Sequence, residues 1–159
     1  MNVNRLVTTG DLIEITGYTE KQIRNFCESG ILVPEVDAKG PGHFRMFGTM
    51  QVLAMNYTSV WGKGRYSRGA IAKIFDFVLD FSEDELLAEF DKGRTHLIMN
   101  LKGEMELIRW KGEHGAAFDL RQAYLVTKDA LARVAKHVGG IAFDNRGRRR
   151  GSGKQNVID

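Results

Sequence analysis

Hydrophobic positions in this chain fall first into a helical rhythm and later into an extended one. Leu12, Ile13 and Ile15 form a short apolar run behind Thr8-x-x-Asp11, and Gly17 closes it. A threonine there takes up an orphan backbone N–H, and an acid in the first turn suits the helix dipole. Thr19-x-x-Gln22 opens a second helix with the reciprocal capping pattern. In it Ile23, Phe26, Cys27 and Gly30 recur at helical spacing and define an inward face. Lys21, Arg24, Asn25 and Glu28 fall on the opposite side. Pro34 then stops helical structure, and residues 35–39 and 43–47 read as two strands about Gly40-Pro41-Gly42. Period two puts His43, Arg45 and Phe47 on one face of that hairpin and Phe44 and Met46 on the other.

Further helices are predicted over 50–61, capped by Thr49, and over 68–80, where Ile71, Ile74, Phe75 and Val78 share a face. Gly62-Lys63-Gly64-Arg65 breaks the chain between them. Ser82-x-x-Glu85 opens a short helix with Leu86, Leu87 and Phe90, ending near Gly93. The pattern then changes. Residues 95–101 and 104–110 are β-like and meet at Lys102-Gly103, and 111–119 reads as a loop. Residues 122–127 read either as a third strand or as the start of a longer helix. Leu131, Val134, Ala135 and Val138 define an amphipathic helix stopped by Gly139-Gly140. The predicted fold is mainly α with a small β wing: a winged helix-turn-helix over 1–90, a small α+β module over 94–143, and a disordered basic tail over 144–159.

Composition narrows the options. A chain of 159 residues with 43% hydrophobic content holds one domain or two small ones. No apolar run reaches the roughly eighteen residues of a membrane span. The N-terminal stretch lacks the apolar core of a signal peptide. A single cysteine permits no internal disulfide, and a reducing cytoplasm is the expected location. Net charge is +3, unevenly spread: +2 over 1–69, −3 over 70–144 and +4 over 145–159. Positive charge thus gathers on the predicted reading domain and on the tail, which points to nucleic acid. Arg146, Arg148, Arg149, Arg150 and Lys154 suit either a phosphate-tracking arm or a solvated tail.

Catalytic and metal chemistry find no foothold in the residues. Cys27 lies on an inward face and reads as core. His43, His96, His114 and His137 lack ligand spacing. Glu83, Asp84, Glu85, Glu89 and Asp91 read as helix capping and a solvated face. No phosphate loop or nucleophile elbow is present. Trp61, Trp110, Phe118 and Tyr124 read as core before they read as an effector pocket. The expectation is a protein with no enzymatic activity, no metal and no cofactor, and with no residue pattern that calls for a small-molecule effector.

Residues 8–80 resemble the MerR-type winged helix-turn-helix. Gly17-Tyr18-Thr19 stands at the family's Gly-x-Ser/Thr, and Ile23-Arg24-Asn25-Phe26 at its Leu-Arg-Tyr-Tyr. Gly30-Ile31-Leu32-Val33-Pro34 stands at Gly-Leu-x-x-Pro, and Phe44-Arg45-Met46-Phe47 at Tyr-Arg-x-Tyr, without gaps from Thr8 to Phe47. Asn25 and Phe26 replace two tyrosines, and no long heptad repeat follows. The resemblance implies binding to double-stranded DNA, with Arg24 and Arg45 on phosphates and Lys21, Gln22 and Asn25 toward base edges. Thr19, Lys39, His43, Lys63, Arg65 and Arg68 complete the expected contact set. The leading expectation is a bacterial or phage transcription regulator, and because one such domain reads few base pairs, it is expected to act as a homodimer or higher oligomer. The alternative is an assembly protein of a phage or mobile element, excisionase-like or a packaging adaptor, working through protein contacts.

Overall fold

The computed structural model describes residues 6–37, 44–61, 66–112 and 118–137. The described chain is mainly helical. Its elements are β1 (Val7–Thr8), α1 (Thr9–Thr16), α2 (Glu20–Glu28), β2 (Met46–Phe47), α3 (Thr49–Asn56), a π-helical turn (Tyr57–Trp61), α4 (Arg68–Leu79), α5 (Glu83–Asp91), β3 (His96–Met99), β4 (Met105–Ile108), β5 (Phe118–Asp119) and α6 (Leu120–His137).

Capping chemistry sets the helix starts. Thr8 Oγ1 accepts from the Asp11 N–H at 3.2 Å while Asp11 accepts from the Thr8 N–H at 3.0 Å. Thr19 with Gln22 and Ser82 with Glu85 repeat this exchange at the starts of α2 and α5. At α3 the expected cap moves by one residue. Gly48, not Thr49, is the N-cap, and its N–H donates to Gln51 Oε1 at 2.9 Å. Gln51 also donates through Nε2 to the Val33 carbonyl, so it ties the chain leaving α2 to the start of α3.

Helix α3 is buried on every side: Val52, Leu53, Ala54 and Met55 have no exposed surface. A helix without a polar face belongs inside a fold. Helices α1, α4 and α6 pack around it. The helix predicted over 50–61 changes character at Tyr57. There the Thr58 hydroxyl lies 3.1 Å from the Ala54 carbonyl and 3.0 Å from that of Met55. Such back-bonding competes with the regular ladder and bends helices.

The two small sheets are antiparallel. Val7 and Thr8 pair with Phe47 and Met46, and Val36 bridges Met46 on its other side. The strand expected over 35–39 thus contributes a single bridge among the described residues. The alternation expected over 43–47 also fails at its end. Met46 and Phe47 are both buried, because Met46 is bonded on both flanks and Phe47 leads directly into α3. In the second sheet the order is β4-β3-β5. The β3–β4 turn is wider than a Lys-Gly pair. Asn100 Oδ1 accepts from the N–H groups of Lys102 and Glu104 at 2.9 and 3.0 Å, and Gly103 takes φ 77°. This is a three-residue loop with glycine in the left-handed position.

Residues 122–127 belong to α6, and the loop expected over 111–119 ends in β5. Asp119 Oδ1 accepts from the Gln122 N–H at 3.0 Å and so caps the helix. Leu120, Ala123, Tyr124, Thr127, Ala130 and Leu131 are buried at helical spacing. One hydrophobic cluster runs from Val7 to Leu131. The boundary expected at 90–94 therefore separates two stretches of chain that share a core. Among the described residues no helix is long and apolar enough to cross a membrane.

Two polar ties attach α6. Asn56 Nδ2 donates to Thr127 Oγ1 at 3.1 Å, deep between α3 and α6. Glu83, in the first turn of α5, accepts from Tyr124 Oη at 2.7 Å and from Lys128 Nζ at 2.9 Å. Burial alone would raise the Glu83 pKa. The hydrogen bonds from Lys128 and Tyr124 and the Lys128 charge outweigh it and hold the carboxyl below its usual value. A lowered carboxyl pKa adds stability above the unfolded value, and that stability is lost as pH falls through the folded one. Glu83→Gln should cost about 1–2 kcal/mol at pH 7, discounted because Lys128 is partly exposed. Urea denaturation of parent and variant should show this gap closing as pH falls below about 4.5, where Glu83 protonates in the unfolded chain. A gap unchanged at pH 3 would dismiss the tie.

Candidate nucleic-acid interface

The turn between α1 and α2 positions the candidate site. Gly17 takes φ 75°, and its N–H donates to the Ile13 carbonyl at 2.9 Å. This left-handed conformation costs other residues more than glycine. Tyr18 points inward. Its ring meets Phe26 of α2 edge-on, with centroids 5.2 Å apart, and its hydroxyl lies 2.8 Å from Thr58 Oγ1. Burial pushes the Tyr18 pKa up, opposed by the bond to Thr58, so the phenol stays protonated. Thr16 donates to the Leu12 carbonyl at 2.7 Å and accepts from the Tyr18 N–H at 3.2 Å, and Ser59 donates to the Thr16 carbonyl. Phe26 also packs on Phe75 of α4 at 5.5 Å. The orientation of α2 is thus set by contacts to α1, α4 and the π-helical turn.

Ile23 and Phe26 hold the inner face of α2, and Glu20, Lys21, Gln22, Arg24, Asn25 and Glu28 are exposed. Thr19 and Gln22 are committed to the cap: Gln22 Oε1 accepts from the Thr19 N–H at 2.9 Å. Only the Gln22 amide nitrogen is left to face outward. Arg24 donates to Glu20 Oε1 at 3.2 Å, one turn back. Arg45 Nε donates to Asp37 Oδ1 at 3.1 Å across the hairpin stem. Arg45 and Asp37 both act on the charge of Cys27. Burial is the largest influence on that thiol and raises its pKa, and Arg45 opposes it. Lys21 makes no ion pair among the described residues.

Of the expected contact residues, Thr19, Lys21, Gln22, Arg24 and Asn25 are exposed on α2 and its cap, and Arg45 is half-buried just before β2, paired with Asp37. Arg68 is exposed in the first turn of α4, behind its Ser67 cap. Lys39, His43, Lys63 and Arg65 lie outside the described residues, as do the arginines of the tail. Asp37 was not among the expected site residues. The bridge between Val36 and Met46 sets residue 37 opposite residue 45, so the hairpin register carries the signal that finds it.

Other chemistry is sparse. His96 meets Thr95 Oγ1 at 2.8 Å and stacks on Trp110 at 5.7 Å. Trp110, expected in the core, is exposed there, whereas Tyr124 is buried as expected. The side chains of Trp61 and Phe118 lie outside the described residues. No cluster of three potential metal ligands occurs among the described residues. A cleft of about 530 Å³ opens behind the chain leaving α2, lined by Ile31, Val33, Met50, Leu79 and Phe81 with Glu35, Asp76 and Glu83. Its carboxylates make it the wrong sign for a phosphate.

Gly17→Ala should destabilise the protein by about 1–2 kcal/mol through left-handed strain. The added methyl meets only Ser59 Oγ, at 4.0 Å, so a clash contributes little. Thermal unfolding measures the loss, and an unchanged midpoint would show that the turn adopts another conformation. Compared with known proteins, the chain matches no family model and no curated sequence.

Proposed function

We propose that the protein is a non-enzymatic, sequence-preferring DNA-binding protein of MerR-like winged helix-turn-helix type, acting in transcription regulation in the cytoplasm. The observation that carries this is the outward face of α2. Its cationic and amide side chains stand clear of the core, on a helix held from behind by Tyr18 and Phe26. Helix, tight turn and helix is the arrangement that presents a side-chain row to a major groove. In this reading Arg24 and Arg45 fix the register on phosphates, while Lys21, Asn25 and the Gln22 amide nitrogen face base edges. One such unit reads few base pairs, so two copies of the chain bind together.

A second reading is an assembly role through protein contacts. It is favoured by the exposed apolar residues Met99, Leu101 and Trp110, which lie at the two ends of the second sheet. Binding sites clustered in tandem would favour it, and a lone palindrome would favour regulation.

Selecting bound fragments from random duplexes and sequencing them tests the primary reading. Arg24→Ala should weaken binding to every sequence and lower the log–log salt slope by about 0.9. Asn25→Ala should relax preference at one base pair by about 1–3 kcal/mol. If both variants keep parental affinity and preference, α2 does not enter the groove. Sedimentation at micromolar concentration, with and without DNA, checks the paired copies, and a monomer in both would remove them.

A further inference from the structure

We propose that Glu20 and Asp37 compete with DNA for the two arginines of the interface, and so limit how tightly the protein holds any duplex. The inference rests on the DNA-binding reading above and concerns the same surface. Arg24 and Arg45 are the two cations assigned to phosphates, and each already donates to a carboxylate, at 3.2 and 3.1 Å. A carboxylate and a phosphate ask for the same N–H groups of a guanidinium. Phosphate contact therefore requires each arginine to leave its acid, and the released acid then faces the DNA backbone. Both pairs are partly exposed, so the exchange is easy and its effect modest.

Glu20 sits in the first turn of α2, where its charge also suits the helix dipole, while capping there is done by Thr19 and Gln22. Glu28 supplies the comparison. It is exposed on the same helix and makes no ion pair among the described residues.

Fluorescence anisotropy with a labelled random-sequence duplex tests the idea. Glu20→Gln and Asp37→Asn should each raise affinity about two- to fivefold at low salt, as the loss of one exposed pair allows. The salt slope should stay at the parental value, because the number of phosphates neutralised is unchanged. Glu28→Gln makes the same charge change without freeing an arginine and should raise affinity less. The gain from Glu20→Gln should vanish in an Arg24→Ala background, and that from Asp37→Asn in an Arg45→Ala background. Gains that persist in those backgrounds, or that Glu28→Gln matches, would replace competition with plain charge repulsion. Unchanged affinity in both acid variants, with Arg24→Ala still weakening binding, would overturn the competition and leave the DNA-binding reading standing. A parent protein that binds no duplex would overturn both.

Discussion

Helix α3 has no polar side, and the rest of the fold follows from covering it. Its residues from Val52 to Asn56 are buried against α1, α4 and α6, which come from distant parts of the sequence. Hydrophobic burial is non-directional, so it brings these helices together without fixing their angles. Angles come from directional contacts at the rim of α3. Gln51 holds the chain leaving α2 at one end, and Thr58 and Ser59 hold the α1–α2 turn at the other. Asn56 reaches α6 through Thr127. The Asn56 Oδ1 atom has no partner among the described residues, so this tie carries a desolvation cost along with its bond.

Much of the first half was legible because its helices begin with explicit caps. Thr8, Thr19 and Ser82 each act on the third residue ahead, a local interaction that needs no knowledge of the fold. The outward face of α2 was legible for a similar reason, since Ile23 and Phe26 fix which side turns inward. Asp119-x-x-Gln122 is a related local pattern, and it marks the start of α6. The Ala123–Thr127 run obscured it, because Tyr124, Leu125, Val126 and Thr127 favour strands. Tertiary burial decided otherwise: Ala123, Tyr124 and Thr127 face the core, and Leu125 and Val126 are left at the surface.

What the pattern could not carry was long-range pairing. The joining of the two halves through one core depends on α6 returning to α1 and α3, across the whole chain. The cap at Gly48 was misplaced because glycine offers no side chain to signal it; the bond comes from Gln51. The acid partner of Arg45 emerges only once Val36 is known to sit opposite Met46. Of the candidate surface, the cations were visible in the sequence, and so was the i, i+4 spacing of Glu20 and Arg24, whereas Asp37 was not.

Cys27 lies half-buried on the flank of α2, and burial keeps its thiol protonated at neutral pH. The thiolate is the reactive form, so in the closed protein this sulfur is a poor target for alkylating reagents. The sulfur is also partly exposed, so its labelling reports how closely α2 packs on its neighbours. The chain carries no second cysteine to confuse the signal. Native composition thus supplies a single reporter of the packing of the one helix on which the proposed function depends.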